Sequence, residues 1–274
     1  MAASTGGSFP TRELLWPDPD VNLPANSSTG QGLAPNEPST LLADNISGLQ
    51  STRVAGFFYP QNVDDVREVV HRAKKFNRKI AMRGTAHCMS KANVAENALI
   101  IDFSFMKKVE VVDDGELVVC EPGAQWRDLI NSLNPYGRSP RTMQSYSTFA
   151  TGGSLSCNAH GITSDDCCAS GVVEASIMDS EGVVHRCRYD DAGDSHEKFL
   201  LKHVFGGFGL FGIIVELKLR TLPNYSILAD TIVCPIGEFP RLYESILSDE
   251  GRGSTIDGGE NQAHICVKLA RFNI

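Results

Sequence analysis

The run Arg83-Gly84-Thr85-Ala86-His87-Cys88 sets a guanidinium, a small-residue turn, an imidazole and a thiol side by side. About sixty-five residues later, Thr151-Gly152-Gly153-Ser154-Leu155-Ser156-Cys157-Asn158-Ala159-His160-Gly161 brings a similar mixture of small, hydroxyl-bearing and reactive residues. Glycine reaches positive φ and lets the backbone come close to a ligand, so turns of this composition suit a pyrophosphate cradled by main-chain N–H groups. The imidazole of His87 is the reactive group of the set.

Other chemistries find less support. Gly207-Phe208-Gly209-Leu210-Phe211-Gly212 matches GxGxxG, but that fingerprint must follow a strand and open a helix. Here helical text precedes it and the β-branched run Ile213-Ile214-Val215 follows, so a nicotinamide site is not expected. Cys157, His160, Cys167 and Cys168 lie close in sequence without the paired spacing of a structural zinc site, and no metal is expected. There is no Gly-x-Ser-x-Gly elbow, HExxH or Walker loop. No residue is named as a catalytic acid or base.

These residues need elements to hold them. Asn62 caps a helix expected at about 63–77, with Asp64 and Asp65 in its first turn and Val63, Val66, Val69, Val70, Ala73 and Phe76 along one face. A strand at 79–83 runs into the Gly84 turn, and another is expected at 98–102. Residues 108–112 and 116–120 flank Asp113-Asp114-Gly115, a hairpin signal. A short helix at Trp126–Leu133, strands on either side of Ser180-Glu181-Gly182, a helix at 197–204 and a strand from Ile213 complete the reading, with a strand-like run at 263–272. Residues 1–50, rich in Ser, Gly, Pro and Asn, read as a disordered or extended arm.

A net charge of −8 with 21% charged residues and no basic stripe argues against nucleic acid. The apolar stretch from Leu210 to Leu219 is interrupted by Glu216 and Lys218, too short and too charged to span a bilayer. Met1 to Pro10 lack the positive start and apolar core of a secretory signal. The eight cysteines show no repeated CxxC spacing, which points to a reducing compartment, the cytoplasm first, with a processed organelle sequence left open.

Residues 55–223 resemble the FAD-binding domain, PCMH type, of the vanillyl-alcohol oxidase family of FAD-linked oxidases, which includes aldonolactone, alditol and decaprenylphosphoryl-ribose oxidases. The resemblance implies an α+β, two-subdomain fold, with a first subdomain at 51–140, a second at 141–223, and the start of a substrate cap at 224–274. It implies FAD as cofactor. Arg83, Gly84, Thr85, Ala86, His87 and Cys88 match the loop that wraps the pyrophosphate, and His87 matches the histidine that often bonds the flavin methyl carbon. Ala86 stands at the family's second glycine and Cys88 at its usual serine. By the same resemblance Thr151 to Gly161 is a cofactor-binding loop, in which Thr151 and Gly161 take part, Gly152, Gly153 and Ser154 contact the pyrophosphate, and Asn158 and His160 sit near the flavin ring. Gly171, Val172, Gly212, Ile213 and Ile214 complete the cofactor set. The implied reaction is hydride transfer from an alcohol, sugar or lactone CH–OH group to flavin, with a small-molecule substrate and a partner chain that could complete the pocket. The alternative is a non-catalytic flavin-fold subunit or fragment without a working pocket.

Overall fold

The computed structural model describes residues 41–48, 51–88, 91–161, 166–189, 195–224 and 233–247. The strand expected at 263–272 lies outside them. Part of the expected arm is structured: β1 (Leu42–Ala43) pairs antiparallel with β2 (Thr52–Arg53), and Ala43 is buried with Val54, Phe57, Ala81, Ala98 and Ile100. A two-residue ladder with one buried alanine leaves no periodic signal in the sequence, which is why this region read as an arm.

The first helix forms as its cap requires. The Asn62 side chain accepts from the Asp65 N–H at 3.0 Å, and α1 (Val63–Lys75) buries Val66, Val69, Val70 and Ala73. It connects β3 (Gly56–Phe58) to β4 (Ile80–Arg83), and both lie parallel to β5 (Leu99–Asp102) in the order β3-β5-β4. β4 ends where the Gly84 turn begins, the carboxyl end of a parallel strand, where ligands of open α/β sheets collect.

The second sheet is antiparallel in the order β10-β9-β11-β7-β6. It comprises β6 (Val109–Val112), β7 (Leu117–Cys120), β9 (Val172–Met178), β10 (Val184–Arg188) and β11 (Ile213–Pro223), with β8 (Arg138–Pro140) also paired to β11. The β6–β7 hairpin turns through Asp113, Asp114 and Gly115, all at positive φ. A boundary at residue 140 does not coincide with the sheets, because β6 and β7 precede it yet join the strands that follow it. The central place of β11, paired with β9, β7 and β8, could not be read from local pattern.

α2 (Trp126–Leu133) and α4 (His196–Val204) share one buried cluster with this sheet, through Trp126, Leu129, Leu133, Leu200, Leu201 and Val204. α1 joins it through a second cluster containing Met178, Ile213 and Val215. Both clusters draw on β11 because a bulge at Val215 resets its alternation: Ile214 pairs with Ile177 and Glu216 with Ser176. Ile213 and Val215 therefore face α1, while Ile214, Leu217 and Leu219 face the other cluster. α3 (Thr151–Ser156) and α5 (Phe239–Leu247) complete the elements. No helix among the described residues is long and apolar enough to cross a membrane.

Candidate cofactor site

The two sequence motifs meet in space. Gly84 lies against Ala150, at the start of α3, so closely that a Cβ at 84 would collide with the Ala150 Cβ. Between them opens a cavity of about 310 Å³ lined by Met82 to Cys88, Ala92, Asn93, Phe103, Pro122, Gln144, Phe149, Ala150, Gly152 to Ser154, Ser156, Cys157, Ala159, Phe208, Gly209, Gly212 and Ile214.

α3 stands where a loop was expected. A helix beginning Thr-Gly-Gly has poor intrinsic propensity, and it is held by what precedes it. The Thr151 N–H donates to the Ala124 carbonyl and the Gly152 N–H to that of Pro122, at 2.8 and 2.9 Å. A side chain at 152 would place its Cβ 2.6 Å from that of Pro122. Below, Trp126 donates its indole N–H to Ser154 Oγ at 3.0 Å. Thr151 is fully buried, and the Cys120 thiol lies 3.9 Å from its hydroxyl. Burial pushes that thiol up to about 12, so it is an inert part of the core.

On the opposite wall Arg83 donates its Nε–H to Asp102 Oδ2 at 2.6 Å and stacks over Phe57, its guanidinium carbon 4.8 Å from the ring centroid. His87 Nδ1 lies 3.0 Å from Thr85 Oγ1, and the imidazole sits 4.6 Å from the Phe149 ring. Although Cys157 is exposed, partial desolvation against the cavity wall raises its thiol above the ordinary value, so it faces the cavity as a neutral thiol.

Of the residues singled out in the sequence, Arg83, Gly84, Thr85, Ala86, His87, Cys88, Gly152, Gly153, Ser154, Gly212 and Ile214 line this cavity. Thr151, Asn158, His160, Gly161, Gly171, Val172 and Ile213 do not. Asn158 Oδ1 accepts from the Ala169 N–H at 3.2 Å, and His160 is exposed and bridges to Cys167. Gly171 and Val172 sit at the start of β9, and Ile213 packs in the core beside α1. Asn93, Phe149 and Gln144 were missed, because nothing in their local sequence marks them and only the folded chain brings them to the site.

Two properties of the lining describe its ligand. Among the described lining residues there is no Asp or Glu, and the charged one, Arg83, is held by Asp102 behind the wall. Asn93 is 6% exposed, and neither its amide nitrogen nor its amide oxygen has a hydrogen-bond partner. A buried, unpaired amide is costly unless a ligand satisfies it. The cavity thus offers a ligand a largely apolar wall with two polar features, the Asp102-held guanidinium and the unpaired amide.

A family profile described as an FAD binding domain matches residues 54–188. That stretch matches an FAD-binding domain of the kind that FAD-linked oxidases carry. The chain is 25% identical over 188 residues to a D-arabinono-1,4-lactone oxidase of Candida glabrata, covering 67% of this chain and 35% of that protein. It is 22% identical over 173 residues to an L-gulonolactone oxidase of Mus musculus, covering 63% of this chain and 38% of the relative. An uncharacterized FAD-linked oxidoreductase of Bacillus subtilis, YgaK, is 23% identical over 191 residues, covering 68% and 41%. The match spans well under half the length of each relative. The matched stretch covers the parallel sheet, α1 and the strands from β3 to β10, and includes Arg83 to Cys88 in the cavity lining.

Proposed function

We propose that the cavity holds FAD and that the chain is the flavin-binding part of an oxidoreductase acting on the CH–OH group of an alcohol, sugar or lactone. The observation that carries the reading is the lining itself: glycine and hydroxyl-rich turns, an arginine, no acidic side chain, and an orphaned buried amide, inside a stretch that matches an FAD-binding domain. The fit to the group is good on each count. FAD, when bound, supplies a two-electron acceptor that no protein side chain offers.

The chain's own residues have distinct tasks in this reading. Arg83 faces the diphosphate charge, and Gly153, whose Cβ position opens onto free space, lets it approach the backbone. Asn93 hydrogen-bonds a polar edge of the cofactor. His87 would be the nucleophile toward the flavin methyl carbon, which would lose a proton as the C–N bond forms while the electron pair passes to the flavin and on to an acceptor such as oxygen. Thr85 Oγ1, 3.0 Å from Nδ1, would orient the ring. The substrate class rests on the relatives' names, which are those of lactone oxidases.

The test is a visible spectrum of the purified protein followed by acid precipitation, with His87→Ala in parallel. Wild-type protein is expected to show flavin absorbance that stays with the pellet, and His87→Ala to release it to the supernatant. Release from both would leave a non-covalent FAD site, whereas a protein that remains colourless after FAD is added would overturn the proposal. Bleaching of the bound flavin by D-arabinono- or L-gulonolactone then tests the substrate class.

Asn93→Leu gives a separate expected result. Replacing an unpaired amide by an apolar group of similar size stabilises the cofactor-free protein by about 1 kcal/mol, while FAD binding weakens about tenfold. Thermal unfolding without cofactor and titration with FAD check both halves. A variant that is less stable and binds FAD normally would show that the amide serves the fold alone.

A further inference from the structure

The segment ahead of the first sheet reaches the loop that carries His87. Asn45, Ile46, Ser47 and Gly48 form a turn in which the Gly48 N–H donates to the Asn45 carbonyl at 3.1 Å and the Ser47 N–H to the Asn45 side chain at 3.0 Å. The β1–β2 pairing and the buried Ala43 anchor it. From this turn the Ile46 N–H donates to the Ala86 carbonyl at 2.9 Å. The Ile46 side chain is 61% exposed, so the residue's contribution to the contact is its main-chain donor.

The acceptor sits in an unfavourable conformation. Ala86 has φ 55°, in the left-handed region that disfavours any residue with a Cβ. It directly precedes His87, and its carbonyl accepts the bond from Ile46.

We propose that Ile46 is a positioning residue: its main-chain N–H holds Ala86 in the left-handed conformation and so presents the Arg83–Cys88 loop, His87 included, in the form that receives the cofactor. The inference rests on the flavin reading above. A loop whose adverse conformation is supported by a hydrogen bond is receptive for a smaller fraction of the time once that bond is lost, and apparent affinity falls by that fraction.

The turn supplies its own test. Ile46 occupies the second position of a four-residue turn, where proline is favoured, so Ile46→Pro keeps the turn and deletes the donor. Amide exchange of residues 84–88 and FAD binding by fluorescence quenching are measured on the full chain. Ile46→Pro is expected to exchange faster across 84–88 and to bind FAD about two- to fivefold more weakly. Ile46→Ala, which restores the donor, recovers both values. Equal losses in Ile46→Pro and Ile46→Ala, or unchanged exchange in Ile46→Pro, would overturn the proposal. If wild-type protein takes up no FAD, the flavin reading fails by itself, and the exchange comparison still decides whether Ile46 holds the loop.

Discussion

Asp102→Ala is expected to lower the unfolding free energy by about 3 kcal/mol, because it strands Arg83 in a wall that is mostly closed to water. Asp102 is 4% exposed and accepts from Arg83 Nε–H at 2.6 Å through one oxygen. Its other oxygen accepts from the Ser104 N–H at 3.0 Å and from the Ser104 hydroxyl, which fixes the turn leading out of β5. Removing the carboxylate therefore breaks a pair and a cap together. In a chain of this size the loss corresponds to a fall of roughly 6–12 °C in melting temperature. Asp102→Asn keeps an acceptor for Ser104 and is expected to recover about half of the loss. A drop in Asp102→Ala below about 1 kcal/mol would mean that the guanidinium escapes to solvent, and Arg83 would then also leave the cavity wall.

Gly123→Ala is expected to cost about 3 kcal/mol or more, although the substitution adds one methyl group. Gly123 is buried in the bend between β7 and α2, and its N–H donates to the Met106 carbonyl at 2.8 Å. A Cβ there would overlap the Phe103 carbonyl oxygen and stand 2.6 Å from that of Met106. Both obstacles are backbone, so neither can rotate away. The strain falls on Phe103 and Pro122, which line the cavity, so FAD uptake should decline with stability. Chemical denaturation and FAD titration of the same variant measure the two effects. Gly153→Ala is the contrasting case, since its Cβ meets nothing, and unaltered stability there alongside a loss at Gly123 would confirm the steric account.

Local pattern and tertiary packing contributed unequally to what could be read in advance. α1 was legible because cap, first-turn acids and apolar spacing all agree in residues 62–76, and the β6–β7 hairpin because Asp113-Asp114-Gly115 tolerates a left-handed backbone. The turn at Gly207 to Gly212 was separated from a nicotinamide fingerprint by the helix before it and the strand after it, and α4 and β11 stand in those places. α3 was not legible, since a Thr-Gly-Gly start argues against helix and the bonds that hold it come from Pro122 and Ala124. β8 is too short to leave a pattern, and its Pro140 tells against a strand. At the site, the loop from Arg83 to Cys88 announced itself by composition. Asn93 and Phe149 could not, because their position in the wall is a property of the folded chain.

The place of β11 bears on how the protein assembles during synthesis. It is the last strand of its sheet to be made, yet it lies between β9 and β7 rather than at an edge. Until residues 213–223 leave the ribosome, β7 and β9 each present an unpaired side, the kind of template on which chains associate wrongly. β3, α1, β4 and β5 span a short stretch of sequence and can form early, whereas closing β11 against β7 joins segments nearly one hundred residues apart and is slow for that reason. Gly212 and Ile214 enter the cavity wall with that same step. Nascent chains would therefore complete the cofactor pocket only after the rest of the sheet is committed, which makes the final strand insertion the event that a chaperone would have to protect.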